Sequence, residues 1–291
     1  MSGRLATGRA VSDLDAGYAD CARLTRAYGT TYYWGALLLE PEQRRHVYAV
    51  YALCRLADDI VDADGATLGD VTGTRDRLGA FRARFDAALA GHPGDATMAA
   101  IAHTVRTGGI GADCFDRFFG AMAMDLDTAT YESFDELCGY MEGSAAVIGE
   151  MMLPVLRPLS DAAFEPARAL GFAFQLTNFL RDVGEDLDRG RVYVPQADLR
   201  RFGADPWARR VDEGWRELMR FEIASNRELY AAADAGLPHL PPGSARCVAT
   251  ARRLYSRILN RIEAADYDVF SGRVRVPTWR KAATAASAWL S

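Results

Sequence analysis

The chain has 291 residues, 49% of them hydrophobic and 25% charged, a balance that supports a substantial core in a globular protein. Its net charge is -5, which argues against nucleic acid as a partner because such binders carry a basic face. Residues 1–10 lack the apolar centre of a signal peptide, and no apolar run approaches the length of a membrane span. The chain is therefore expected to be cytoplasmic, with any membrane contact peripheral.

Apolar residues recur at helical spacing almost throughout, and no strand-like alternation is sustained. In chain order the pattern predicts helices over residues 13–27, 41–63, 74–90, 96–107, 112–127, 133–156, 161–186, 211–233, 243–265 and 277–290. Turn chemistry places loops at 91–94 and 237–243. The stretch 189–206 follows an acidic helix end, carries Pro195, Gly203 and Pro206, and is expected to be irregular, a candidate flap. No composition shift marks a linker. We expect a flexible N-terminus over 1–12 and one all-α domain over 13–291.

Five cysteines (Cys21, Cys54, Cys114, Cys138, Cys247) are scattered without CxxC or Cys/His spacing, as expected for reduced thiols. Nearly every basic residue is arginine, Lys281 being the only lysine. That bias alone assigns no function.

Within 41–63, Arg55, Asp58 and Asp62 share one helix face, while Val47, Val50, Cys54, Ala57 and Val61 form an apolar stripe. Within 161–186, Gln175, Asn178, Asp182, Glu185 and Asp186 fall on one line, opposite Ala173, Leu176, Leu180 and Val183. Either stripe alone is also what a solvated helix face looks like. Together they offer only hard oxygen ligands, which suit Mg²⁺ shared with substrate phosphates. Such a site can ionise an allylic diphosphate by neutralising the leaving group.

The ordered motifs are Thr30-Thr31-Tyr32-Tyr33-Trp34-Gly35, Tyr48 to Arg55 leading into Asp58 and Asp62, Tyr140 to Gly149, Gln175 to Asp186 followed by Gly190-Arg191-Val192-Tyr193-Val194-Pro195, and Asp266 to Phe270 followed by Val276-Pro277. Over residues 28–281 this set resembles the squalene and phytoene synthase family, most of all its bacterial phytoene synthases. The resemblance implies a single large helical domain of the isoprenoid synthase type with a central cavity.

It also implies roles. Asp58, Asp62, Asn178, Asp182 and Asp186 would hold Mg²⁺, with Mn²⁺ as a substitute, and no NADPH is expected. Thr31, Arg55, Gln175, Asn178, Arg181, Tyr255 and Arg273 would contact prenyl diphosphate, with Arg275 the alternative to Arg273. Tyr51, Tyr140, Asp58 and Asp182 would serve catalysis, although tyrosines such as Tyr51 and Tyr140 are more often core aromatics with a bonded hydroxyl. The small run 143–146 would admit prenyl chains or simply pack helices. One departure is Gly29, where many relatives carry serine.

The implied reaction joins two geranylgeranyl diphosphates head to head through a cyclopropyl diphosphate to phytoene, as in carotenoid biosynthesis. The alternatives are a squalene-type or presqualene diphosphate synthase acting on farnesyl diphosphate and, more distantly, a non-catalytic assembly factor of the same fold. Oligomeric state is not legible.

Overall fold

A computed structural model describes residues 2–63 and 65–272, with side chains from residue 13 onward. The described chain is helical: α1 (Ser2–Tyr28), α2 (Thr30–Ala36), α3 (Pro41–Val61), α4 (Val71–Leu89), α5 (Ala96–Gly108), α6 (Ala112–Met124), α7 (Phe134–Met141), α8 (Val147–Leu156), α9 (Phe164–Asp188), α10 (Gln196–Phe202), α11 (Glu213–Asp234) and α12 (Pro242–Ala264). The nearest approach to a strand among these residues is one isolated bridge between Thr130 and Val192.

Local chemistry sets the helix ends. Asp70, Asp95, Ser133 and Asp212 cap α4, α5, α7 and α11 by accepting from backbone N–H groups one turn on, which satisfies donors that the helix leaves orphaned. Pro41 sits at the start of α3, where its missing N–H costs nothing. Gly109 and Gly203 end α5 and α10 in the left-handed region.

Three expectations change. The helix expected over 133–156 is divided: a π segment, Glu142–Ala146, joins α7 to α8. The lone Gly143 in Glu-Gly-Ser-Ala-Ala is tolerated inside a helical pattern, so periodicity could not reveal the wider turn. Two short helices went unread. α2 follows directly on α1, and α10 lies inside the stretch expected to be irregular. α1 also begins at Ser2, well before the expected start. The helix expected over 277–290 lies outside the described residues.

The centre is α9, packed against α8, the π segment, α11 and α12, while α3 packs against α1, α5 and α4. α9 meets α8 and the π segment main chain to main chain. A Cβ on Gly149 would stand 2.3 Å from the Ala167 carbonyl oxygen, and one on Gly171 would stand 2.3 Å from that of Ala145. Gly143 likewise abuts the Arg117 carbonyl, so part of the small run 143–146 does serve packing. The core is continuous and runs from Tyr18 and Val50 through Phe118 and Met151 to Leu180, Trp215 and Ile262.

Candidate active site

The two acidic rows face one cleft of about 610 Å³. α3 supplies Tyr51, Arg55, Asp58 and, at its C-cap, Asp62; α9 supplies Gln175, Asn178, Arg181, Asp182, Glu185 and Asp186; Tyr140 and Tyr255 complete the wall. These are the residues singled out from sequence, apart from two. Thr31 is buried and lines neither this cleft nor the apolar cavity described below, its neighbour Tyr32 facing them instead. Arg273 lies outside the described residues.

The electrostatics are those of crowded carboxylates. Burial, reinforced by Asp62, pushes the Asp58 carboxyl up to about 8 against the pull of Arg55. Burial and Asp182 push Asp186 well above the usual carboxylate range. Asp182 accepts from Arg181 Nε at 2.7 Å. Asn178 Oδ1 is buried without a hydrogen-bond partner. A buried acceptor left unpaired, beside two carboxyls whose ionisation burial and neighbouring acids disfavour, fits an oxygen set built to take a cation. The oxygens present fit a hard divalent ion.

Arg55 donates to the exposed Asp59 and lies over the Tyr28 ring, 4.5 Å from its centroid, with its Nε buried and unpaired. Tyr51 packs against Tyr32, ring centroids 5.5 Å apart. The departure at Gly29 has a local reason: a Cβ there would sit 2.4 Å from Tyr51 Cζ.

Three further residues that line the cleft went unassigned at the sequence level. Arg191, only 4% exposed, donates from Nη1 to Asp62 Oδ1 (2.9 Å) and from Nη2 to the Val61 carbonyl (3.1 Å). It therefore caps the carbonyl end of α3, where the helix dipole is negative. Its backbone N–H donates to the Asp186 carbonyl at 2.8 Å, so one residue ties the acidic ends of both helices together. Asp125, at the C-cap of α6, accepts from Tyr140 and Tyr193 hydroxyls at 2.9 Å each. Burial lifts Asp125 to about 6, with Arg191 pulling it down. Tyr140 is thus not a free hydroxyl; it stacks on Tyr193, and Tyr193 on Phe179 at 4.0 Å. Arg191 and Tyr193 stand in a motif that could have flagged them. Asp125 is a lone acid at a helix end and gave no signal.

A second, apolar cavity of about 150 Å³ abuts the cleft. Tyr32, Ser144, Ile148, Met152, Gln175 and Asn178 border both. Its far end is built from Leu153, Leu156, Ala163, Ala167, Leu237 and Leu240.

Among the described residues, one compact group away from the cleft has metal-like composition: the ligand atoms of Asp113, Cys114 and Glu150 lie within 4.8 Å of one another. Glu150, however, already accepts from both Arg117 and Arg168. Two guanidiniums match its charge, and they lower its pKa against the effect of burial. The group has the build of a structural ion-pair network, and the cleft is the better-suited cation site.

Residues 25–280 match the model of the family described as Squalene/phytoene synthase. A phytoene synthase of Arthrospira platensis is 37% identical over 280 residues, covering 91% of this chain and 89% of that protein. Among solved structures, a squalene synthase from Alicyclobacillus acidocaldarius superposes with a TM-score of 0.77 at 30% identity, covering 88% of this chain and 97% of that one. A dehydrosqualene synthase in complex with a ligand superposes with a TM-score of 0.86 at 25% identity, covering 96% and 97%.

Proposed function

The chain belongs to the squalene/phytoene synthase family, and from that membership we propose that it is a Mg²⁺-dependent prenyltransferase that condenses two geranylgeranyl diphosphates head to head to phytoene. The observation that carries this reading is the junction of an acidic cleft with an apolar cavity, bordered by Gln175 and Asn178. A prenyl diphosphate has the same two halves.

Asp58, Asp62, Asn178, Asp182 and Asp186 would hold Mg²⁺. Bound there, the metal would neutralise diphosphate oxygens and so ease departure of the leaving group. Arg55 and Arg181 line the same cleft and would add fixed positive charge where the diphosphate leaves. The first substrate ionises to an allylic cation. The double bond of the second attacks it, and loss of a proton gives a cyclopropyl diphosphate. A second ionisation and rearrangement, ended by proton loss, yield the hydrocarbon.

The chain's own residues must then protect cations from water. The stacked faces of Phe179, Tyr193 and Tyr140 present π density beside the cleft, where a cation is attracted to the ring face. The apolar cavity excludes water from the tails. Asp125 fixes the Tyr140 and Tyr193 hydroxyls and so sets the ring orientations. The released diphosphate can accept the proton, and the four histidines, none of which lines the cleft, are not needed as a base.

No helix among the described residues is long and apolar enough to cross a membrane; we place any membrane contact at the protein's surface. The reading is tested by incubating purified protein with Mg²⁺ and geranylgeranyl diphosphate, without NADPH, and in parallel with farnesyl diphosphate. A C40 hydrocarbon from the first alone is expected. A C30 product from the second alone would place the chain on the squalene-type branch.

A further inference from the structure

A buried polar junction that the proposed mechanism does not use lies where α1, α3 and α5 meet. Tyr18 of α1, His46 of α3, and His103 and Thr104 of α5 converge there. Glu42 Oε1 faces His46 Nε2 at 3.5 Å, so that nitrogen carries the proton and Nδ1 accepts. Thr104 Oγ1 then donates to His46 Nδ1 at 2.8 Å, and the Tyr18 hydroxyl donates to His103 Nδ1 at 2.9 Å. Both hydroxyls and both Nδ1 atoms are thus satisfied while the imidazoles are neutral.

Protonation upsets this balance. The two rings stack, centroids 6.0 Å apart and planes 12° from parallel, so two imidazolium charges would lie face to face. A protonated His103 would also turn its Nδ1–H on the Tyr18 hydroxyl and force that hydroxyl to reverse. The charges around the junction give little relief. On α3, Arg45 lies over the Tyr18 ring, 4.6 Å from its centroid, and pairs with Glu42. On α5, Arg106 donates to the Ala88 and Leu89 carbonyls at the end of α4. On α1, the Cys21 thiol stays neutral, pushed up to about 12 by burial. Glu42 is the acid that opposes the cations, and its side chain is 53% exposed. Burial, with Arg45 and His103, holds His46 below the usual imidazole range against the pull of Glu42, and burial, Arg45 and Arg106 do the same to His103.

What the junction fastens is α1, and the far end of α1 belongs to the acidic cleft. Tyr28 and Gly29 line that cleft, the Tyr28 ring lies under the Arg55 guanidinium, and Gly29 abuts the Tyr51 ring. About 15 Å of uninterrupted helix separates Tyr18 from Tyr28 at 1.5 Å per residue. A loss of hold at Tyr18 is therefore carried along a stiff rod to the cleft wall.

We propose that the Tyr18–His46–His103 junction is an acid-sensitive latch: neutral, it holds α1 on α3 and α5 and so completes the cleft wall at Tyr28; protonated, it releases α1. The latch goes beyond the function proposed above and uses it only for one readout. Released, the imidazoles titrate near about 6.5; docked, they hold protons less tightly. Docking is thus at full strength above about pH 6.5 and weakens as pH falls below it, by up to about tenfold per pH unit for each proton taken up, until the docked values are reached.

The test follows deuterium exchange into peptides covering residues 13–28 of the full chain, corrected for the intrinsic pH dependence of exchange, with peptides of α11 as the internal reference. Between about pH 7.5 and about pH 5, exchange in α1 should rise at least about tenfold against α11 and fall back on neutralisation. His103→Asn keeps an acceptor toward Tyr18. It should match native turnover at about pH 8 and flatten the rise in exchange, and adding His46→Asn should abolish that rise. The cleft carboxyls titrate as well, so turnover is compared between native protein and His103→Asn, the variant keeping more of its activity at about pH 6. An equal acid rise in the double variant would overturn the latch. Native α1 exchange that tracks α11 at every pH would also overturn it, and this measurement decides alone should the variants not fold. Native protein without turnover at any pH would overturn the proposed function, while the exchange profile still decides the latch.

Discussion

Arg191 Nη1 lies 2.9 Å from Asp62 Oδ1, and this bond joins the segment after α9 to the last turn of α3. The same guanidinium stands close enough to Asp125 to lower its pKa, and its charge also acts on Asp186. It is one of the internal cations of an acidic site.

Removing that cation should be costly. Arg191→Ala leaves Asp62 and the buried Asp125 without their shared counter-charge; the Asp62 side chain is 39% exposed, so solvent screening brings the cost below the roughly 3 kcal/mol of a fully buried pair. We expect the urea midpoint to fall accordingly with the slope unchanged. Arg191→Lys should recover part of the loss, because an ammonium restores charge but not the two-pronged contact to Asp62 and Val61. Equal midpoints for native protein and Arg191→Ala would show that the pair contributes nothing.

Substitution at the acidic rows should separate stability from activity. Asp58→Asn removes a carboxyl that burial and Asp62 already disfavour as the anion, so the metal-free protein should melt at the same temperature or higher. Turnover should drop at least a thousandfold, as should that of Asp182→Asn. Product assays paired with calorimetry decide this, and near-normal turnover in either variant would remove these residues from the metal set.

Glu222 gives a pH signature outside the site. It is 2% exposed, its Oε1 has no partner, and burial lifts its carboxyl to about 8, with Asp198 adding to the rise. The unfolded value is about 4.3. Between these values the folded chain binds more protons than the unfolded one. The stability contribution is therefore fully present below about pH 4 and lost as pH climbs through 8. Glu222→Gln should flatten that decline and gain up to a few kcal/mol at pH 8.5, because each tenfold change in proton affinity between the two states is worth about 1.4 kcal/mol. Superimposable stability–pH curves would refute the assignment.

Gly171→Ala should act through the main chain. The added methyl would meet the Ala145 carbonyl oxygen at 2.3 Å, and backbone cannot swing aside as a side chain can. Overpacking of this kind costs about 1–3 kcal/mol, even though alanine favours a helix more than glycine does. Denaturant titration should show the loss, and a gain would mean that α9 and the π segment are free to part.

Much of the site was legible because its chemistry is periodic. Asp58 and Asp62 on α3, and Asn178, Asp182 and Asp186 on α9, repeat at helical spacing, and a period is visible in one dimension. Asp125 and Arg191 are not periodic. Each matters through a partner distant in the chain, Tyr193 lying 68 positions from the first and Asp62 lying 129 from the second. Thr31 was expected to contact substrate through its motif, but it is Tyr32, one position on, that turns toward the cleft. The long amphipathic helices were readable for the same periodic reason. The π turn, α2 and α10 were not: they are short, and tertiary packing rather than propensity decides whether such pieces form.

Two close main-chain contacts run along α9, four residues apart: Ala167 against Gly149 of α8, and Gly171 against Ala145 of the π segment. Neither glycine has room for a side chain, so on this side the wall of the apolar cavity is set by main chain. Its shape can then be altered by substitution only at the side chains that line it, and the backbone beneath them stays a fixed reference.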